Sequence, residues 1–420
     1  VAGRRRRDDR DRSGCGANRD RRDRSADAGR RAARGETVSA ALDRRVDLAA
    51  RRARIADTDL RVALVHDYLN QRGGAERVFA HFLDAYPDAP VYTSIYARAL
   101  ADLVPPARVR TTFLQRFPLR EQAFRAFAPL YPLAFESLDL RGYDTIVSST
   151  TAWAKGVIVP PGAVHVCYIN TVSRFVFDAD RYVGGFRAAA LARPMIRALA
   201  AWDRRAAQRP TRFVANSRNV ADRVRRYYGR EADVLPCPVD VDRFSVGSGR
   251  GDYAVVVSRL LGYKRLDIAI RGCARAGVPL HVIGTGPAEA ELRTLAAGSA
   301  TTFHGYADDA TVNALIGDAR AVILPGEEDF GLVPLEAAAA GTPTIALRAG
   351  GALETIVEGE TGAFFDAPDD AALAATLQRF DRARFAPARL RAHAESFAPP
   401  QFIARLQAIV DRVRAESARS

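Results

Sequence analysis

Sulfur and imidazole are scarce in this 420-residue chain, and long apolar runs are missing altogether. The four cysteines, Cys15, Cys167, Cys237 and Cys273, stand far apart and none sits at metal-ligand spacing. Such scatter predicts buried free thiols in a reducing compartment rather than a disulfide framework. The six histidines are equally dispersed, with no His-Glu-x-x-His cluster, which argues against a structural metal. No apolar stretch approaches the roughly 18 residues that span a bilayer. None follows the basic start as the core of a secretory signal would, so a cytoplasmic location is expected.

What is present is a folded chain with an uneven charge. Apolar residues make up 48% of it, and 420 residues exceed one ordinary core, so two domains are expected. The net charge is +13; residues 1–60 hold 18 Arg against 11 acidic side chains, or +7, leaving +6 for the rest. Residues 1–58 lack apolar periodicity and aromatics and read as a disordered basic extension, not as a nucleic-acid arm.

From Arg61 onward, short apolar runs alternate with helical patterns. Strands are expected at Arg61–Asp67, Pro90–Ser94, Thr145–Ser148, His165–Tyr168 and Arg212–Ala215, with Gly73-Gly74 opening the first helix. The three glycines of Ser245–Asp252 suggest a linker. A second series follows, with strands at Tyr253–Val257, His281–Gly284, Thr301–His304, Ala321–Leu324 and Pro343–Ala346. Helical stretches between them include Lys264–Ala276 and Pro334–Ala340. Alternation of this kind predicts parallel sheets covered on both faces. The expected organisation is α/β: a Rossmann-like domain at 60–244 and another at 252–398, facing each other across a cleft. An amphipathic helix at 400–416 is expected to pack back on the first domain.

Residues 326–336, Gly-Glu-Glu-Asp-Phe-Gly-Leu-Val-Pro-Leu-Glu, form the most informative segment. They read as strand end, polar loop and helix start, with Glu328 and Glu336 expected to face one cleft. Carboxylates so placed suit the hydroxyls of a sugar and of a ribose. Pro334 fits the first turn of the helix, whose free N–H groups and positive end would face an anion. Arg259 follows the first strand of the second domain and Lys264 opens the next helix, near the sheet edge where α/β ligands bind. Gly284-x-Gly286 lacks the third glycine of a dinucleotide fingerprint. Asp240-x-Asp242 lies at the domain junction and reads as structural.

From about residue 61 to 413 the chain resembles retaining nucleotide-sugar glycosyltransferases of family four, with the GT-B fold. The nearest subgroup is the mannosyltransferase-like enzymes of bacterial O-antigen and capsule assembly. The segments carrying the resemblance include Val65-His66-Asp67-Tyr68, Gly73-Gly74-Ala75-Glu76-Arg77, Ala215-Asn216-Ser217, Ser258-Arg259-Leu260, Tyr263-Lys264-Arg265-Leu266-Asp267, Glu327-Glu328-Asp329-Phe330-Gly331 and Gly350-Gly351-Ala-Leu-Glu354-Thr355. Their order over roughly 350 residues makes chance agreement improbable.

The resemblance implies a set of roles. Arg259 and Lys264 clamp the diphosphate of the donor, and Gly73 and Gly74 approach its distal phosphate. Glu328 contacts the transferred sugar and Glu336 the ribose. Asp329, Phe330, Gly331 and Leu332 complete the donor wall. Asn170 stands where relatives carry a histidine close to the transferred sugar, so Glu328, Arg259, Lys264 and Asn170 form the expected catalytic group. No cofactor or metal is implied. The implied donor is a nucleotide sugar, GDP-mannose foremost, and the acceptor a lipid-linked glycan. Arginines and aromatics interleave from Arg108 to Phe135, which suits peripheral contact with an anionic membrane at the inner face of the cell. The other readings are a sugar-nucleotide epimerase, or a non-catalytic sugar-nucleotide-binding protein, on the same fold.

Overall fold

The computed structural model describes residues 60–177 and 186–419. The basic extension and Cys15 lie outside them. Two parallel sheets organise the chain from Arg61 onward. The first contains β1 (Val62–His66), β2 (Val91–Thr93), β3 (Val109–Thr111), β4 (Thr145–Thr150), β5 (Val164–Ile169), β6 (Arg212–Ala215) and β7 (Ala232–Val234), in the order β3-β2-β1-β4-β5-β6-β7. The second contains β8 (Ala254–Val257), β9 (Leu280–Ile283), β10 (Thr301–Gly305), β11 (Ala321–Leu324), β12 (Thr344–Leu347) and β13 (Gly362–Phe365), in the order β10-β9-β8-β11-β12-β13. This is the expected pair of Rossmann-like sheets.

Central strands such as β4, β5 and β11 are buried along their whole length, because helices cover both faces of a parallel sheet. Their runs of Val, Ile and Thr suit that environment. The sequence reading missed β3, β7 and β13. All three lie at sheet edges, where one hydrogen-bonded neighbour and partial exposure leave little constraint on composition.

Strand order reverses between β1 and β4 in the first sheet and between β8 and β11 in the second. At such points the connections leave in opposite directions and open a crevice at the carboxyl ends of the strands. The segments after β1, β5, β8 and β11 carry nearly all the residues singled out above.

The stretch 245–252 is tied down rather than a loose linker. Gly247 N–H donates to Ala340 O at 3.2 Å and Gly249 N–H to Gly317 O at 3.1 Å. A Cβ on Gly247 would lie 2.2 Å from the Gly317 carbonyl carbon, so this close approach requires glycine. The last helix, Pro399–Ser417, returns to the first sheet's domain: Phe402 lies 5.8 Å from the Phe82 ring and 5.7 Å from that of Tyr168. Gln407 Nε2 donates to Ala85 O at 2.9 Å.

Residues 108–135 comprise β3, short 3-10 turns and most of the helix Tyr131–Glu136. Phe124, Tyr131 and Phe135 are buried, while Phe117, Leu119 and Leu133 are exposed. Arg108 is structural: its guanidinium caps the carbonyls of Tyr86 and Ala89. Among the described residues no helix is long and apolar enough to cross a membrane. Cys167, Cys237 and Cys273 are buried free thiols, and burial pushes each up to about 12.

Candidate active site in the cleft between the sheets

A cavity of about 330 Å³ opens between the two sheets. Gly74 and Asn170 line it from the first; Arg259, Lys264, Glu328, Asp329, Phe330, Gly331 and Leu332 line it from the second. A larger open cavity, about 500 Å³, lies between β2, β3 and residues 137–143, but it holds none of the residues singled out as ligands. The smaller cavity is therefore the one that gathers the residues singled out from the sequence.

Lys264 and Glu328 meet across it. The ammonium lies 2.5 and 2.6 Å from the two carboxylate oxygens, and both side chains are under a fifth exposed. Lys264 closes a 3-10 turn that follows β8. Glu328 lies in the loop that leaves β11. Arg259 is exposed on the same wall. Below Glu328, Gly331 adopts φ +90° at the N-cap of the helix Leu332–Ala339, a conformation that favours glycine. No side chain caps that helix end, and Leu332 and Val333 of its first turn line the cavity. The loop packs closely: a Cβ on Gly351 would lie 2.3 Å from Phe330 Cα.

Two expected ligands fall elsewhere. Glu336 is not on the cavity wall with Glu328. One turn into its helix and only 15% exposed, it meets Arg77 at 3.5 Å, and Arg77 also reaches Asp309 at 3.2 Å. Burial raises the Glu336 carboxyl above its ordinary value, with Arg77 and Arg243 opposing. Gly73 likewise does not line the cavity; it is the N-cap of the helix Gly74–Ala85, and its N–H donates to Glu76 Oε2 at 3.0 Å. Glu76 is buried, and burial lifts its carboxyl to about 7, with the Arg259 charge opposing.

The opposite wall is built from internal bonds. Asp67, just after β1, is buried and accepts six hydrogen bonds from the segment after β4. The donors are Thr150 Oγ1 (2.9 Å), Thr151 N (2.6 Å) and Oγ1 (2.8 Å), Ala152 N (2.9 Å), Trp153 N (3.0 Å) and Ala154 N (2.6 Å). This pins the crevice at the strand-order reversal. Asn170, at the end of β5, donates its amide to Ser149 Oγ at 3.1 Å and Thr150 O at 3.3 Å. Its backbone carbonyl accepts from Asn216 at 3.0 Å.

Sequence reasoning missed the bonds that cross the cleft. Arg174 and Arg223 both pair with Asp329. Glu354 accepts the N–H groups of Arg218 and Asn219, at 2.8 and 3.1 Å, at the start of the helix Arg218–Tyr228. Ser217 followed by a helical pattern is a legible N-cap signal. Nothing local signals that a glutamate 136 residues on would complete it.

Residues 72–243 match the family model described as Glycosyltransferase Family 4, and residues 239–396 match that described as Glycosyl transferases group 1. The two matches divide the chain as the two sheets do, and the fold is GT-B. Among curated relatives, the D-inositol 3-phosphate glycosyltransferase of Geodermatophilus obscurus is 30% identical over 239 residues, 49% of this chain and 53% of that protein. The GDP-mannose-dependent alpha-(1-6)-phosphatidylinositol monomannoside mannosyltransferase of Mycolicibacterium smegmatis is 32% identical over 197 residues, 38% of this chain and 52% of that protein. The chain thus spans about half the length of these relatives. Among solved structures, Anabaena Alr3699/HepE in complex with UDP and glucose aligns with a TM-score of 0.62 at 18% identity, covering 84% of this chain and 100% of that one. Sucrose-phosphate synthase from Thermosynechococcus elongatus aligns at 0.65 and 18%, covering 85% and 100%. At that identity the likeness establishes the fold.

Proposed function

We propose that this chain is a retaining hexosyltransferase that moves a mannosyl unit from GDP-mannose to a lipid-linked glycan in cell-surface polysaccharide synthesis. The observation that carries the reading is the convergence of Arg259, Lys264, Glu328 and the open end of the helix Leu332–Ala339 on one cavity. A diphosphate leaving group develops negative charge as its bond to the sugar breaks. Preorganised cations and backbone N–H groups stabilise that charge best in a site with little water. Arg259 offers a planar fork and Lys264 a point charge. Glu328, held by Lys264, presents its carboxylate to sugar hydroxyls.

In the retaining reaction the C1–phosphate bond breaks and the acceptor oxygen bonds C1 from the same face. The acceptor proton passes to the leaving diphosphate. Asn170 lines the cavity beside this centre but cannot carry a proton near neutral pH, so no side-chain base is assigned. The relative named for GDP-mannose supports the donor. Exposed Phe117, Leu119 and Leu133, close in sequence to Arg116, Arg120 and Arg125, support a peripheral membrane contact that would bring a lipid-linked acceptor within reach.

The internal bonding of Asn170 favours a second reading, a sugar-nucleotide-binding protein without turnover. Donor consumption over a panel of GDP-, UDP- and ADP-sugars separates the two. GDP-mannose turnover lost in Lys264→Ala supports the transferase, and thermal stabilisation by donors with no turnover supports the binder.

A further inference from the structure

The loop that carries Glu328 is fastened to the other domain through its neighbour. Asp329 Oδ2 lies 2.6 Å from Arg174 Nη2, and Oδ1 lies 3.0 Å from Arg223 Nη1. The three side chains are 13%, 16% and 19% exposed for Arg174, Arg223 and Asp329. Ion pairs that are hydrogen-bonded and partly withdrawn from water are stronger than surface pairs. The backbone is gripped as well: Ser217 Oγ donates to Asp329 O at 2.6 Å, and Asn219 Nδ2 to Glu328 O at 3.2 Å.

Arg174 touches both sides of the donor wall. Besides Asp329, its guanidinium lies 4.9 Å over the ring of Tyr263, and Lys264 Nζ lies 5.2 Å from the same ring. It stands four residues after Asn170, at the start of the helix Arg174–Phe177. Residues 325–331 contain no helix or strand, so anchors rather than a backbone ladder set where Glu328 points.

We propose that Arg174 and Arg223 are positioning residues: by gripping Asp329 they hold Glu328 and Lys264 in register with the Asn170 wall. Asp329 is then a keystone of the frame, not a ligand of the donor. The inference rests on the reading of Lys264 and Glu328 as donor-wall groups.

The test uses the full chain and the variants Asp329→Asn, Arg174→Gln, Arg174→Lys and Arg223→Gln. Two readouts are taken: hydrogen exchange of residues 326–331 in the protein alone, and kcat and KM for GDP-mannose consumption. Asp329→Asn and Arg174→Gln should each speed exchange of that loop about tenfold or more. They should lower kcat about tenfold while KM stays within about threefold, with Arg174→Lys recovering part of the loss. The double variant Arg174→Gln/Asp329→Asn should be no worse than the poorer single one. Exchange identical to the parent overturns the proposal. So does a raised KM with kcat unchanged, which would make Asp329 a direct ligand, and so do fully additive losses in the double variant. If the parent consumes no donor, the transferase reading fails, and the exchange rates alone still decide whether Asp329 is held through the two arginines.

Discussion

The domain of the first sheet buries charged side chains almost completely, whereas in the second even Glu336, whose carboxyl burial raises, keeps 15% exposure. Around β1, β4 and β5 the buried polar side chains include His66, Asp67, Glu76, Lys155, His165 and Asp203. Among the described residues after 250, they are the threonines Thr342, Thr344, Thr355, Thr361 and Thr376. The second domain keeps its charges on the surface or at the cleft, where Lys264 and Glu328 face the cavity. The first spends them inside: Lys155 and Asp203, each 1% exposed, pair at 2.6 Å, and Ser173 donates to Asp203 at 2.6 Å. The difference teaches where polar chemistry is structural and where it is available. A fully buried charge held against its partner specifies one geometry, whereas a pair on a cavity wall can exchange partners with a ligand.

Four measurements would break or sharpen that contrast. Asp67→Asn should cost the most stability, about 3–5 kcal/mol by chemical denaturation, because N–H and O–H donors around the end of β4 lose one of the two buried carboxyl oxygens that accept them. A loss near zero would mean that the buried network is dispensable. Lys264→Ala should lower GDP-mannose turnover about 100-fold, equivalent to about 2.7 kcal/mol of transition-state stabilisation, with little change in melting temperature. A large fall in melting temperature would move Lys264 to the structural side of the comparison.

The third concerns pH. Burial lowers His66 to about 4 and His165 to about 3, below the ordinary 6.5, so both stay neutral in the fold. As pH falls below 6.5 the unfolded chain gains two protons that the folded chain does not, and stability drops. Glu76, raised from 4.5 to about 7, acts in the opposite sense: above 4.5 the unfolded chain loses a proton that the fold retains. Between 4.5 and 6.5 these three groups together differ by one proton, a contribution of about 1.4 kcal/mol per pH unit that is lost as pH drops; Glu336, raised by burial, opposes it and His281, lowered by burial, adds to it. Glu76→Gln removes one opposing proton and should steepen the slope by about 1.4 kcal/mol per unit. An unchanged slope would place Glu76 among ordinary exposed carboxylates. The smallest effect belongs to the second domain's surface. Arg348 pairs with Glu358 and Asp366, all exposed, and Arg348→Ala should cost under about 1 kcal/mol, less still at high salt.

Legibility followed the same division. The central strands were readable because full burial demands unbroken apolar runs, and Arg212–Ala215 and Ala321–Leu324 were placed to the residue. That Arg259, Lys264 and Glu328 share one cavity wall was readable too, since they stand in short segments that each follow a strand. The pairing of Glu336 with Arg77, and of Asp329 with Arg174 and Arg223, was not legible. These partners lie more than 100 residues apart, and arginines are too common here for any one to stand out.

Local sequence determined which segments become buried strands, where helices start and stop, and which residue types line the loops after them, because burial and backbone hydrogen bonding act on a few neighbours at a time. Only the tertiary structure decided that β1 neighbours β4, that β8 neighbours β11, and that the two resulting crevices share one cavity. It also decided which charges are spent on the frame and which face that cavity. Those outcomes depend on distances between residues far apart in the chain, and a charge has no partner until the fold brings one near.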